Sequence, residues 1–315
     1  MIRPSGTQFA LAHRNQRAVV VEVGGGLRSY SVDGRELLDG YGEEELCTSG
    51  RGQALIPWPN RIEDGRYEFE GASLQLPLDE PERRNAIHGL VRWASWSAAE
   101  YEPARVVLQH TLHPQPGYPF SLALSIEYTL SEAGLGVRTT ATNIGPAACP
   151  YGAGAHPYLT LGTPTVDSLM VRSPARAVIR TDGRGLPLGD EPVEGTECDF
   201  RQRKALGGTK LDHTFTDLER DGDGFARVEL TEPQSGAGLT LWLDEAYPYL
   251  QLFTGDPLPD VARRSIAVEP MTCPPNAFRT GKNVIRIEAG ESFTSAWGLV
   301  PTSSRSGDAS PRPQL

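Results

Sequence analysis

Apolar and polar residues alternate along much of the chain, a pattern that predicts β-strands. Every second residue from Leu122 to Leu130 is apolar, and the residues between them are polar or small. The same alternation resumes from Leu135 to Ala141 after the turn sequence Glu132-Ala133-Gly134. These two segments are therefore predicted to form a half-buried β-hairpin.

The same criteria predict strands over most of the remaining sequence. Glycine-containing turns at 24–26 and 71–72 separate apolar segments and predict hairpins over 19–32 and 66–76. Further strands are predicted at 105–112, 166–171, 175–180, 225–231, 238–243, 249–253, 265–269, 284–289 and 292–299.

Helical patterns are nearly absent. No dozen residues carry apolar side chains at the spacing of one helix face, and 34 glycines and 26 prolines interrupt the chain. Many short strands with frequent turns predict an all-β protein, a large antiparallel β-sandwich or barrel-like sandwich. We expect one domain over 1–301. The Ser-, Pro- and Arg-rich segment 302–315 is expected to be a disordered tail.

Composition narrows the expected partners and location. The chain has a net charge of -10, so nucleic acids and anionic membranes are disfavoured partners. The first residues lack the apolar run of a signal peptide, and no segment has the length of a membrane span. These features predict a cytoplasmic protein. Its cysteines are widely spaced and are expected to be reduced thiols rather than zinc ligands: Cys47, Cys149, Cys198 and Cys273.

Two titratable residues stand out by their local setting. His156 follows small residues that leave room for a ligand, and Pro157 follows it directly. Glu269 ends the predicted strand 265–269, and alternation places it on the face opposite Ile266 and Val268. Pro270 is expected to end that strand. Neither residue is distinctive alone, because a histidine at a turn and a glutamate at a strand end are commonly structural or solvent-exposed.

Five short motifs, in this order, resemble those of the aldose 1-epimerase (galactose mutarotase) family. They are Asn60-Arg61-Ile62, Ile87-His88-Gly89, Ala155-His156-Pro157-Tyr158, Asp212-His213-Thr214-Phe215 and Val268-Glu269-Pro270. The resemblance spans roughly residues 15 to 300. It implies a galactose mutarotase-like supersandwich with a sugar-binding cleft on one sheet.

The same resemblance implies roles for individual residues. Glu269 matches the catalytic base and His156 the catalytic acid. Matches to sugar-binding positions, or to residues flanking them, are Asn60, Arg61, His88, Trp93, Asp212 and Gln251. The implied reaction is interconversion of the α and β anomers of a hexose by ring opening and closing. We expect no cofactor and no metal, and a monomer or homodimer that acts on a small-molecule sugar.

That chemistry suits a carboxylate and an imidazole. The anomeric hydroxyl loses a proton while the ring oxygen gains one, and a well-placed acid or base contributes ~10²–10⁴-fold in rate. We expect the carboxylates of Asp212 or Glu269 to favour the charged form of His156.

Three alternatives stay open at this stage. The sequences around Trp58–Arg61, His88–Trp93 and Pro270–Phe278 resemble a bacterial subgroup that includes sulfoquinovose mutarotases. In this first alternative the substrate is an anionic sugar, sulfonated or phosphorylated. The cations expected to bind its anionic group are Arg61, Arg83, Arg84 and Arg92. The second alternative is a sugar-binding protein without catalysis. The third is a glycosidase that uses Glu269 and Asp212 as a carboxylate pair.

Overall fold

The structure is a computed structural model that describes residues 3–302. Those residues form twenty-seven strands, one α-helix and two 3-10 turns. The strands up to residue 112 are β1 (Gln8–His13), β2 (Gln16–Val21), β3 (Leu27–Val32), β4 (Arg35–Glu36), β5 (Ala54–Leu55), β6 (Arg61–Glu63), β7 (Arg66–Phe69), β8 (Ala72–Gln75), β9 (Asn85–Ile87), β10 (Ser97–Glu102) and β11 (Arg105–Leu112). Those of the middle are β12 (Leu122–Ser131), β13 (Gly134–Asn143), β14 (Cys149–Tyr151), β15 (Gly154–Ala155), β16 (Tyr158–Leu159), β17 (Met170–Arg172), β18 (Ala175–Thr181), β19 (Pro187–Pro192) and β20 (Lys204–Ala205). The last are β21 (Asp212–Leu218), β22 (Ala226–Thr231), β23 (Gly238–Leu243), β24 (Tyr249–Phe253), β25 (Ile266–Met271), β26 (Ile285–Ile287) and β27 (Ser292–Thr302).

The helical elements are minor. The α-helix α1 spans Ala277–Thr280, and the 3-10 turns span Pro81–Arg83 and Val166–Ser168. No helix within residues 3–302 is long and apolar enough to cross a membrane.

Two large antiparallel sheets dominate the fold. The nine-stranded sheet has the order β10-β11-β12-β13-β27-β23-β22-β17-β20. The eight-stranded sheet has the order β19-β18-β21-β24-β25-β15-β5, and its eighth strand, β16, also pairs with β25. One contiguous core cluster includes side chains from both, such as Leu124 and Ile126 on β12 and Leu252 and Val268 on β24 and β25. The predicted all-β sandwich fold is confirmed.

Period-two alternation explains the best-predicted elements. Along β12, buried and partly exposed residues alternate without interruption, and β13 pairs with it from Leu122↔Asn143 to Ser131↔Gly134. The predicted hairpin is therefore confirmed, with each strand one to three residues longer than expected. Gly134 forms the turn at a positive φ of 113°, which glycine adopts without steric cost.

The middle of the eight-stranded sheet positions the polar side chains considered below. Thr214 on β21 pairs with Gln251 on β24, and Gln251 pairs with Glu269 on β25. Paired residues on adjacent strands project to the same face, so these three side chains lie side by side on the face away from Val268 and the core.

Three sequence-based expectations about strands are wrong. Pro270 does not end its strand, because β25 continues to Met271 and Pro270 pairs with Leu250 on β24. The amides of Val268 and Thr272 donate to Pro157 and Ala153 on the other side, and the proline nitrogen falls between these two bonds. A proline is tolerated at a point where the ladder lacks one donor.

The other two errors concern 166–171 and the start of the expected tail. Residues Val166–Ser168 form a 3-10 turn, and the strand begins only at Met170. Thr302, the first residue of the expected tail, is the last residue of β27, and 303–315 lie outside the described residues.

Candidate active site

A cleft of about 370 Å³ opens on the outward face of the eight-stranded sheet. This cavity is called the cleft. All eight site residues predicted from the sequence line it: Asn60, Arg61, His88, Trp93, His156, Asp212, Gln251 and Glu269. The fold therefore brings together side chains that are as far as 209 positions apart in the chain, from Asn60 to Glu269.

Glu269 lies on the floor of the cleft. It is 2% exposed, and its Oε2 atom has no hydrogen-bond partner among residues 3–302. Burial, reinforced by the nearby Asp212 carboxylate and opposed by Arg61, raises the pKa of the Glu269 carboxyl well above its usual range. The side chain is thus a buried carboxyl group facing a space into which a ligand fits.

His156 is held by the glycine-rich loop that precedes β5. The amide of Gly52 donates to the His156 carbonyl, and the His156 amide donates to the Gln53 carbonyl. A Cβ atom on Gly50 would lie 3.0 Å from the imidazole Cδ2, and Gly50 has a φ of +71°. Glycine at this position therefore lets the loop approach the ring closely. The ring is further fixed by stacking on Tyr158, at 4.9 Å between centroids and 12° between planes.

His156 and Glu269 form a buried pair. His156 Nε2 lies 3.4 Å from Glu269 Oε1, and His156 Nδ1 has no hydrogen-bond partner within the described chain. Burial lowers the pKa of His156, and the cations Arg92 and Arg51 lower it further. We expected carboxylates to favour the charged imidazole, and this expectation is wrong. Burial thus disfavours charge on both groups, which favours a protonated carboxyl group beside a neutral imidazole.

His88 faces the cleft from a strained turn. Asn60 and His88 both adopt left-handed backbone conformations, with φ of 56° and 62°. They bond reciprocally: the Asn60 amide donates to His88 Nδ1 at 3.2 Å, and the His88 amide donates to the Asn60 carbonyl. Residues held in sparsely populated backbone regions are concentrated at functional sites. Because Nδ1 accepts a hydrogen bond, the neutral His88 ring carries its proton on Nε2 and is a donor.

This tautomer argues against a metal ion in the cleft. Ligand atoms of His88, His156 and Glu269 lie within 4.8 Å of one another, a spacing suited to a divalent cation. A histidine binds a metal through an unprotonated nitrogen. His88 Nε2 carries the proton, and moving that proton to Nδ1 would break the bond from the Asn60 amide. The residues present fit a hydrogen-bond donor set better than a metal centre.

Arg61 is fixed at the rim by a carboxylate. Its Nε and Nη2 atoms donate to Glu80 at 2.9 and 3.0 Å. The other guanidinium nitrogen, Nη1, lies against Gly185, where a Cβ atom would come within 2.8 Å. Asn85 also donates to Glu80, at 2.9 Å. A bidentate pair of this kind holds the guanidinium plane in one orientation.

Asp212 is held by a hydrogen-bond chain between the adjacent strands β21 and β24. Thr214 Oγ1 donates to Gln251 Oε1 at 2.6 Å, and Gln251 Nε2 donates to Asp212 Oδ1 at 2.8 Å. The chain fixes the orientation of the Gln251 amide. The second oxygen of Asp212 is left to accept from a ligand.

Sequence reasoning assigned no role to several residues of the cleft. Its wall also includes Tyr158, Phe253 and Leu258, next to the 55% exposed ring of Trp93, and Arg92, which was considered only as a partner of an anionic sugar. Arg92 donates to Asp79 at 2.7 Å, and its Nε atom is buried without a partner within residues 3–302. Unlike the exposed Trp93, Trp58 is a buried core residue that packs against Phe278. The polar-apolar pattern carries no signal for Tyr158 and Phe253, since both are ordinary strand residues.

The chain is similar to known proteins over nearly its whole length. The aldose 1-epimerase family model matches residues 7–299. The uncharacterised protein YihR of Escherichia coli is 37% identical over 288 residues, 91% of each chain.

Among solved structures, a GalM/aldose epimerase homologue from C. elegans has a TM-score of 0.85 at 18% identity, covering 94% of this chain and 99% of its own. A galactose 1-epimerase from Lactobacillus acidophilus has a TM-score of 0.78 at 21% identity, with 93% of both chains covered. At these identities the two structures show a shared fold.

Proposed function

Because the chain belongs to the aldose 1-epimerase family, we propose that it is an isomerase that interconverts the α and β anomers of an aldohexose. The observation that carries the proposal is the buried contact between His156 and Glu269, 3.4 Å apart on the floor of a sugar-sized cleft. Mutarotation requires an acid and a base at one carbon atom, and this contact supplies both.

The proposed reaction uses the two groups on neighbouring oxygens. The anomeric hydroxyl and the ring oxygen are both bonded to C1, so two groups in contact with each other reach both atoms. Glu269 as the carboxylate removes the hydroxyl proton, and His156 as the imidazolium protonates the ring oxygen, which opens the ring. After rotation about the C1–C2 bond the proton transfers run in reverse and close the ring on the other face.

The reactive arrangement needs the same number of protons as the resting pair. A protonated Glu269 with a neutral His156 differs from a carboxylate with an imidazolium only in the position of one proton. The pH dependence of the reaction therefore reports the two macroscopic pKa values of the pair rather than those of either residue alone.

The surrounding polar groups suit the binding of a polyol. His88 Nε2 and the guanidinium of Arg61 present donors, and the second oxygen of Asp212 accepts from sugar hydroxyls. The exposed ring of Trp93 offers an apolar surface for the C–H face of a pyranose. We assign these residues to substrate binding.

The charges in the cleft favour a neutral hexose. The arginines that line it, Arg61 and Arg92, are already paired with Glu80 and Asp79. The lining contains three further carboxyl groups, on Glu82, Asp212 and Glu269. An anionic substituent would have to displace a carboxylate that is already in place.

One observation supports a second candidate substrate, a sulfonated or phosphorylated hexose. Arg92 has a single ion-pair partner, the 39% exposed Asp79, and its Nε atom lacks a partner within residues 3–302. The other two arginines considered from the sequence, Arg83 and Arg84, do not line the cleft and pair with Glu80 and Asp64. If the substrate is such an anionic hexose, the chain belongs with the subgroup that includes sulfoquinovose mutarotases.

Polarimetry tests the proposal over a panel of glucose, galactose, glucose 6-phosphate and sulfoquinovose. We expect the protein to accelerate the approach to anomeric equilibrium of a neutral hexose. The variant Arg92→Met separates the candidates, because it should slow anionic sugars much more than neutral ones. Acceleration of no aldose would overturn the proposal. Binding of sugar without acceleration would favour a non-catalytic binding protein, and release of sugar from an aryl glycoside would favour a glycosidase.

A further inference from the structure

Arg51 is a buried cation with no part in the reaction described above. Its side chain is 4% exposed, which makes it the only fully buried arginine among residues 3–302. It has one ion-pair contact, 3.4 Å to Asp39, and its Nε atom has no partner in the same part of the chain. Burying a charge with so few partners is costly, so its position calls for an explanation.

Arg51 reaches His156 through an aromatic ring. The guanidinium carbon of Arg51 lies over the Tyr158 ring, 4.5 Å from its centroid. The same ring stacks on the His156 imidazole. Tyr158 is in turn fixed by a hydrogen bond from its hydroxyl group to the Ser49 carbonyl, at 3.1 Å. Arg51 itself lies between the two glycines, Gly50 and Gly52, that contact His156.

Asp39 connects this arrangement to the strand that carries Glu269. Its Oδ2 atom accepts from Arg51 and, at 2.7 Å, from Ser265 directly before β25. Its backbone amide donates to the Tyr158 carbonyl at 2.8 Å. Its Oδ1 atom accepts from Arg264 at 2.7 Å, so the carboxylate keeps a cationic partner if Arg51 is replaced.

We infer that Arg51 is a positioning residue of the active site, which acts through Tyr158 to orient the His156 ring and whose charge disfavours a positive charge on that ring. This inference rests on the proposed function. A cation near the imidazole disfavours a second positive charge, and the stack leaves the ring one orientation toward Glu269.

The other charged and titratable groups around His156 act alongside Arg51. Glu269 contacts the ring from β25, and His88 meets it edge to face at 5.4 Å between centroids. Arg92 and Arg51 both lower the pKa of His156, after the larger effect of burial. Arg51 differs from Arg92 in lying outside the lining of the cleft, so replacing it changes the charge without removing a wall of the site.

The experiment follows the His156 imidazole signals by NMR as a function of pH in the full chain, with the signals assigned by their loss in His156→Asn. The wild type is compared with Arg51→Met, Arg51→Lys and the control Arg264→Met, which removes the other arginine on Asp39. In Arg51→Met we expect the titration of His156 to move upward by about one pH unit, since the charge acts across an aromatic ring in a partly buried site. Arg51→Lys and Arg264→Met should titrate like the wild type.

Mutarotation rates of the same proteins are the second readout. The acid limb of the pH–rate profile should move upward in Arg51→Met and stay in place in Arg51→Lys. A folded Arg51→Met with an unchanged His156 titration would overturn the inference, as would an equal shift in Arg264→Met. Arg51→Gln, which retains a donor for Asp39, replaces Arg51→Met if that variant does not fold. A wild type without activity would instead refute the proposed function, and the NMR titration would still test Arg51.

Discussion

The two large sheets each carry a polar hollow on the face away from the core, and the lining of the larger hollow within residues 3–302 lacks a buried carboxyl–imidazole pair like that of His156 and Glu269. The hollow on the nine-stranded sheet, called the outer hollow here, encloses about 850 Å³, against about 370 Å³ for the cleft. It is lined by residues such as Gln109, Ser125, Thr140 and Thr142. Size alone would therefore choose the wrong one.

The hollows differ in whether their titratable groups already have partners. In and beside the outer hollow, Thr140 and Thr142 bond to hydroxyl groups on β27 at 3.0 and 2.7 Å. Its titratable Glu22 accepts from both the amide and the hydroxyl group of Thr7. In the cleft, His156 and Glu269 are buried, and each has an atom without a partner among the described residues. A buried polar group without a partner is costly, so a ligand is the expected partner.

The sharpest test of this difference replaces one carboxyl group in each hollow, Glu269 in the cleft and Glu22 in the outer hollow. We expect Glu269→Gln to lower the catalysed mutarotation rate by about 10²-fold or more, because the general base is lost. Glu22→Gln should leave the rate unchanged. Both are measured by polarimetry, with melting temperatures as a check on folding. A near-normal rate for Glu269→Gln would remove Glu269 from the mechanism.

A second pair compares the histidines of the two hollows. His156→Asn should also lower the rate by about 10²-fold, because asparagine cannot transfer the proton to the ring oxygen. In the outer hollow, His110 Nδ1 donates to the Ser95 carbonyl and the ring contacts Trp96, so His110→Asn should retain the wild-type rate. Equal losses in the two variants would mean that the distinction between the hollows is mistaken.

A smaller effect is expected for a residue that binds without transferring protons. Asp212→Ala should raise KM by about tenfold and lower kcat less, because the hydrogen bond that it accepts from the sugar forms before the transition state. Initial rates over a range of sugar concentrations separate the two constants. A fall in kcat at constant KM would instead place Asp212 in the chemical step.

The smallest effect is expected at the mouth of the cleft. Trp93→Ala should raise KM by only a few-fold, since the exposed indole contributes stacking area but no charge or proton. Trp93→Phe, which keeps an aromatic face, is the matched control, and its KM should lie between those of the wild type and Trp93→Ala. An unchanged KM in Trp93→Ala would exclude stacking on this ring.

The sequence predicted strands well where one face is buried and the other is not. Alternation identified β12 and β13 because each side chain is either in the core or at the surface. It missed β10, where all six residues are exposed, and β19, which lies at a sheet edge with its residues largely exposed. Such strands are held by backbone pairing, which leaves no hydrophobic pattern to read.

The composition of the cleft was predicted from motif resemblance rather than from the residues alone. The eight predicted residues all line the cleft, although their roles stay predictions. The protonation of His156 was predicted wrongly, because the sequence shows the neighbouring carboxylates but not the burial or the approach of Arg51 and Arg92. Arg51 was missed because it acts through the ring of Tyr158, a contact made only in the folded chain.

The pH dependence of kcat/KM tests the central claim, that one proton shared by a buried carboxyl–imidazole pair performs the reaction. On the acid side the rate should fall when the neutral His156 is protonated, so that the pair holds two protons. This should occur at a pH below the ordinary histidine pKa of about 6.5. It should fall on the alkaline side as the shared proton is lost, at a pH well above the ordinary glutamate value of about 4.3. A single limb near 6.5, unchanged in Glu269→Gln, would contradict the account.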